Sequence, residues 1–365
     1  MDSQVHSFRP PFCPWPECPK HLRPIGFRWR PFGSYSRQCE PRIIPRFRCG
    51  HCRRTFSSQT FSTTYYLKRP ELLTSVLHRL LACSGYRQIA REARCSASTV
   101  MGQAARLGRH ALLALHHWRP RAEVNEPLVI DGFESFAFSQ YHPLHLNLAV
   151  GAESHYVYAF THTELRRKGT MRPAQRRRRE WLEAKFGRPD PGALVSDVAE
   201  LIRHAAPSSR ELVIRSDEHP AYPRAFRRLK GCSIRHECTP SAAARTSGNP
   251  LFPVNVDDLL LRHNSANHKR ETIAFSKRHQ SVVERAALLL LWRNFMKPFS
   301  ENHGGGTPAM RVGIRSRPLG AGEVLKRRLF PYRVGLSELG WKYYRRLVPT
   351  ARIANPRRHE LRQAF

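Results

Sequence analysis

Acidic residues are scarce in this chain: 28 Asp and Glu stand against 62 Lys and Arg, leaving a formal net charge of +34 over 365 residues. A charge this positive must be neutralised by a partner, and the usual polyanion is nucleic-acid phosphate; a mere crowd of solvated arginines is the weaker account. Long apolar runs are also missing. The longest, Ala286 to Trp292, is far too short for a membrane helix. The stretch Met1 to Pro11 has no apolar block of the signal-peptide kind. Internal repeats are absent as well. What is present is a 41% hydrophobic content, enough for real cores, so disorder throughout is excluded. The length predicts two or three domains.

The nine cysteines are odd in number and crowd into the first hundred residues, with only Cys232 and Cys238 beyond. That pattern disfavours a disulfide framework and favours metal binding. Cys13-x4-Cys18 and Cys49-x2-Cys52 form two close pairs separated by a longer loop. Tetrahedral zinc needs this arrangement, since each pair makes a knuckle and the loop lets the knuckles face one another. Cys13, Cys18, Cys49 and Cys52 are therefore the predicted ligands of a structural zinc ribbon, with Cys39, His51 and His21 as spare candidates. No pattern points to a catalytic zinc.

From Pro70 to Trp118 the pattern turns helical, with Leu72, Leu73, Val76, Leu77, Leu80 and Leu81 on one face. Gly85 to Ala93 reads as a short helix, Arg94-Cys95-Ser96 as a turn, and Ala97 onward as a second helix capped by Ser96. This is a helix-turn-helix pattern, whose second helix enters the major groove. Ser98, Thr99, Gln103 and Arg106 are the polar groups expected to read bases and phosphates there.

Beyond the linker at Arg119 to Pro127, strands are expected at Leu128–Ile130, Leu146–Val150, Tyr156–Thr161, Leu212–Ile214 and Ser233–Cys238. A basic segment, Arg166 to Arg179, precedes a helix through Leu194, Val198, Leu201 and Ile202. A long helical region spans Asp257 to about Phe295, and a Gly/Pro-rich hinge leads to a basic tail. In a chain so poor in acids, Asp131 and Asp217 stand out at strand ends. Divalent cations such as magnesium use carboxylate oxygens and keep positions open for water and phosphate. Glu284 is the candidate third acid, on a mainly apolar helical face where a carboxylate is costly without a partner.

Several stretches carry a resemblance: Val129-Ile130-Asp131-Gly132-Phe133-Glu134-Ser135, Ile214-Arg215-Ser216-Asp217, Arg270 to Lys277 leading to Glu284, Trp292-Arg293-Asn294-Phe295, and Thr307-Pro308-Ala309-Met310. From about Cys13 to Met310 the chain resembles a DDE-type transposase of a bacterial insertion sequence. The resemblance implies a multidomain α+β protein: a zinc ribbon (1–62), a helix-turn-helix domain (63–122), a ribonuclease-H-like α/β catalytic domain with a mixed sheet (123–300) and a basic C-terminal tail (301–365). It implies Asp131, Asp217 and Glu284 as the catalytic acids holding two Mg2+ or Mn2+ ions. Glu271 is the alternative third acid, and Gln280 at that position would mark a decayed copy. Glu134 would support the site near Asp131, while His219 and Asn294 would position phosphate or carboxylates. Strand cleavage and strand transfer on double-stranded DNA, at element ends and target, are the implied reactions. Arg176, Arg177, Arg178 and Lys277 would track the DNA backbone. A homo-oligomer on DNA and a cytoplasmic, nucleoid-associated setting are further implications. The competing reading is a zinc-ribbon and helix-turn-helix regulator with an inactive core.

Overall fold

The computed structural model describes residues 8–302 and 304–351; the end of the basic tail, 352–365, lies outside the described residues. A one-turn helix, α1 (Pro19–Leu22), precedes the antiparallel strands β1 (Trp29–Ser36), β2 (Ile43–Cys49) and β3 (Thr55–Ser57). Their small core of Phe47, Phe56 and the buried cysteines is a cluster separate from the main core. So few apolar residues hold a fold poorly alone, which is where a metal adds stability.

Helices α2 (Leu72–Leu81), α3 (Tyr86–Glu92) and α4 (Ala97–Trp118) follow. The Ser96 hydroxyl caps α4 by accepting from the Thr99 N–H at 3.2 Å. Val100, Ala104, Leu107, Ala111 and Leu112 recur at helical spacing on α4 and are all buried, so it is a core helix along most of its length.

The main sheet contains β4 (Leu128–Phe136), β5 (Pro143–Gly151), β6 (Val157–Glu164), β7 (Glu211–Ser216) and β8 (Ser233–Cys238), in the order β6-β5-β4-β7-β8. The β4–β5 and β5–β6 pairs are antiparallel, while β4–β7 and β7–β8 are parallel. This is the mixed sheet expected of a ribonuclease-H-like α/β domain. Helices α5 (Pro173–Phe186) and α6 (Ala193–Ala205) lie between β6 and β7, and α7 (Ala221–Phe226) lies between β7 and β8.

The long helical region expected from Asp257 to Phe295 is two helices, α8 (Phe252–Asn264) and α9 (His279–Phe295), divided by a loop. Helices cover both faces of the sheet. Thr161 donates to the Asp197 carbonyl of α6, and its neighbour His162, pointing to the other side, packs edge-on against His279 of α9. The outer strand β6 is closed by side chains: Asn294 bonds the Val157 N–H and C=O, each at 2.9 Å, and the Tyr343 hydroxyl accepts from the His162 N–H.

The basic C-terminal segment is folded. Helices α10 (Pro308–Arg311), α11 (Ala321–Lys326), α12 (Pro331–Val334) and α13 (Glu338–Tyr344) run back across the molecule. Phe330 packs against Phe12 and Phe61 of the cysteine unit, His110 of α4 bonds the Val324 carbonyl, and Tyr343 stacks on Phe160 of β6.

Candidate active site

Strand β4 continues to Phe136, so Asp131 lies inside a strand and not at its end. Its parallel pairing with β7 covers only Leu128 with Ile214 and Val129 with Arg215. Asp131 and Asp217 are each three residues past the first of these pairs, Asp131 within β4 and Asp217 just beyond the end of β7. From β4 the chain builds the sheet outward in both directions, and the carboxyl ends of strands at such a switch point are where α/β sheets place their ligand sites.

A third carboxylate, absent from the sequence reading, comes from α8. Adjacent residues on a helix diverge by about 100°. Asp257 accordingly turns inward to a buried ion pair with Arg293 at 2.8 Å, and Asp258 turns toward Asp131. Burial pushes the Asp258 carboxyl well above its usual range, and the charges of Asp131 and Asp257 push the same way. Its Oδ1 is buried without a hydrogen-bond partner. Asp131 is raised by burial and by Asp217, against the Gly132 N–H that donates to its Oδ1 at 2.7 Å. The Tyr222 hydroxyl, 3.5 Å from Asp131 Oδ1, is raised well above its ordinary value by burial and then by Asp131, Asp217 and Asp258. Asp131 raised beside Asp217, and Asp258 raised beside Asp131 with an orphaned oxygen, suit divalent cations, which remove the repulsion. Asp257-Asp258 is the only Asp-Asp pair in the chain, and that rarity was the available signal.

Glu284 belongs elsewhere. It is buried on α9 against Gly108 of α4, with Arg346 Nε at 2.8 Å and Gln280 donating at 3.3 Å. Burial raises it, while Arg346 and Arg109 oppose that rise. The half-buried Arg346, with Arg109 nearby, thus supplies the partner that an acid on this face requires. None of these partners is shared with the aspartates. Glu271 is exposed in the loop after α8, and Gln280 donates to the Tyr343 carbonyl. Asn294 is occupied by Val157, whereas His219 donates its N–H to Asp217 Oδ1.

A cleft of ≈ 1130 Å³ is lined by Glu134, His145 and His219, whose N–H bonds Asp217, though Asp131, Asp217 and Asp258 themselves do not line it. Arg166, Arg167, Lys168, Arg262, Lys269 and Arg270 line its walls. Gly132 leaves room for the imidazole of His145: a Cβ there would lie 2.6 Å from its Nδ1. Arg176, Arg177 and Arg178 are exposed on α5, whose only buried residue is Leu182, and Lys277 is exposed before α9. The polar residues of α4 divide. Ser98 is exposed and Thr99 half-buried at its first turn, both bonded to the Ser96 hydroxyl. Gln103 is buried and donates to the Arg69 carbonyl, and Arg106 donates to the Thr63 carbonyl at 3.0 Å. Those two hold the helices together and do not face a groove.

The four cysteine sulfurs converge, all within 4.8 Å of one another. Cys13 and Cys52 are 3.7 Å apart and Cys18 and Cys49 3.9 Å, close to the ~3.8 Å expected between sulfurs around zinc with bonds of about 2.3 Å. The N–H groups of His51 and Cys52 point at Cys49 Sγ. Burial and the neighbouring thiols drive Cys13 far up, a cost that a bound cation reverses. Cys39, His51 and His21 stay outside, each bonded to a backbone carbonyl. Among the described residues these thiols are the only group of three or more ligand atoms so close together; the aspartates are spaced more widely.

Fold and sites define a class: a mixed α/β protein of several units, with a four-cysteine centre able to hold zinc and half-buried carboxylates near a basic cleft. No protein-family model matches the chain, and no curated protein matches it. Among solved structures the chain is similar to the simian T-cell lymphotropic virus intasome in complex with PP2A regulatory subunit B56 gamma, at 14% identity, over 68% of this chain and 74% of that chain, with a TM-score of 0.26. A likeness of that size adds nothing to what the site itself supports. No helix among the described residues is long and apolar enough to cross a membrane.

Proposed function

We propose that this protein is a DDE-type DNA transposase of the bacterial insertion-sequence kind, cutting DNA strands at element ends and joining them to target DNA. One observation carries the reading: Asp131 within β4 lies under the charge of Asp217, just past the end of the neighbouring parallel strand β7, Asp258 of α8 lies under that of Asp131, and a basic cleft lies close by. Asp131, Asp217 and Asp258 would hold the Mg2+ or Mn2+ ions, so the third acid of this proposal is Asp258 in place of Glu284. When bound, such ions stabilise charge on the attacking and leaving oxygens of an in-line displacement at phosphorus. The chain's own groups do the rest. Arg262, Lys269 and Arg270 hold the DNA backbone along the cleft, and Tyr222 orients the Asp131 carboxylate. Arg176, Arg177, Arg178 and Lys277 extend the basic track, and the exposed first turn of α4 at Ser98 and Thr99 supplies base contacts. The four cysteines hold a structural zinc. Cutting two ends calls for a homo-oligomer on DNA, and the setting is the bacterial cytoplasm.

The test is cleavage and joining of duplex DNA taken from the flanks of the coding region, in Mg2+ or Mn2+. Wild type is expected to nick and join, and Asp131→Asn, Asp217→Asn and Asp258→Asn to bind the same DNA without cutting it. DNA binding by wild type with no cutting in either metal would support the regulator with an inactive core instead.

A further inference from the structure

The loop between α8 and α9 presents one apolar side chain wholly to solvent. Ile273 is 100% exposed, the most exposed large hydrophobic residue described. The loop around it is firmly built. The Thr272 hydroxyl donates to the Ala266 carbonyl at 2.7 Å and accepts from the Ala274 N–H at 2.9 Å, which grips the chain on either side of Ile273. Further along, Ser276 bridges to Ala137, and its carbonyl accepts from the Phe138 N–H. Ala274 packs on Gly85, the residue that opens α3; a Cβ there would lie 3.5 Å from the Ala274 Cβ. The loop thus has Gly85 of the α3 start on one side and, through Lys269 and Arg270, the wall of the cleft on the other.

A stiff β-branched side chain on a rigid tip, flanked by phosphate-binding cations, matches the apolar wedges that enter a base step and unstack it. We propose that Ile273 is such a wedge: it inserts into duplex DNA held in the cleft and opens a base step there. The charge around it, Lys269, Arg270 and exposed Lys277 against a single Glu271, selects DNA as the occupant. This inference rests on the reading of the cleft as a DNA site.

The experiment uses the full chain and duplexes from the DNA flanking the coding region, with 2-aminopurine placed at successive positions, in Ca2+ so that binding occurs without cutting. Wild type is expected to brighten the probe at one step, and Ile273→Ala to bind without brightening it. In Mg2+ the variant should cut about tenfold to a hundredfold more slowly, since unstacking costs a few kcal/mol, and recover when that step carries a mismatch. Ile273 touches nothing, so the variant should keep its Tm. Brightening by Ile273→Ala equal to wild type, or no brightening anywhere by wild type on DNA it binds, overturns the wedge. So does loss of self-association in the variant, which would make Ile273 a contact between copies. Failure of wild type to cut any DNA sinks the enzyme reading separately, because the fluorescence is read from binding alone.

Discussion

Asp257 and Asp258 are chain neighbours in opposite circumstances. Asp257 is raised to about 6 by burial and held by Arg293, while Asp258 has no cation bonded to it and lies against other acids. A carboxyl whose pKa is raised on folding costs stability once the pH passes its unfolded value, because the folded state resists giving up the proton. Asp258→Asn should therefore abolish cleavage while leaving Tm unchanged or higher. Glu284→Ala should do the reverse, costing about 3 kcal/mol by stranding Arg346 and Arg109, with cleavage per folded molecule retained. Thermal melts alongside nuclease assays separate the two. The buried histidines predict a pH response of definite sign. Burial lowers His116 and His279 from 6.5 to about 4. The stability tied to their neutral form is fully present above pH 6.5 and lost as the pH falls from there toward 4. Their imidazole NMR signals should stay in the neutral form at pH 6 and move only near pH 4. Protonation of either near pH 6.5 would contradict the packing.

At the scale of elements, the contact of α4 with α9 decides most of the architecture. A Cβ on Gly108 would lie 2.5 Å from the Glu284 Cβ and 2.6 Å from its backbone oxygen, so the two helices touch where Gly108 leaves space. Gly108→Ala forces backbone apart and should cost about 1–3 kcal/mol, measured by chemical denaturation; an unchanged midpoint would mean the helices pack differently. Helical periodicity showed that α2, α4 and α9 have apolar faces, yet it could not say what lies against them. Gln103 and Arg106 look like groove-reading residues by position, but their side chains are consumed by the carbonyls of Arg69 and Thr63. Likewise Leu128–Ile130 was legible as a strand, whereas its continuation to Phe136 depends on pairing with β5, which no local pattern announces.

At the scale of the whole molecule, the C-terminal segment ties the cysteine unit to α4 and to the edge of the sheet. Arg328 donates its backbone N–H to the Phe61 carbonyl, the Thr63 hydroxyl donates to the Leu325 carbonyl, and Arg333 donates to the His21 carbonyl. The cysteine unit has a small core of its own, so a metal held by the four cysteines would add to its order. Purified protein should carry a single zinc per chain, and chelation or Cys49→Ser should open the 29–57 region to protease while the sheet domain stays protected. A unit equally protected without metal would show that the C-terminal clamp suffices.

The sequence by itself determined the charge and the local motifs. Its charge called for a polyanion, its paired cysteines for a knuckled zinc centre, and Asp131 and Asp217 stood out because acids are rare and each follows a short apolar run. These are local properties, carried by composition and by residues a few positions apart. Only the tertiary structure decided which acids meet. Glu284 and Asp258 are both acids on helices, and the difference between an internal ion pair and a place beside Asp131 is set by how α8 and α9 are rotated against their neighbours. That rotation is fixed by long-range packing, so no spacing along the chain encodes it.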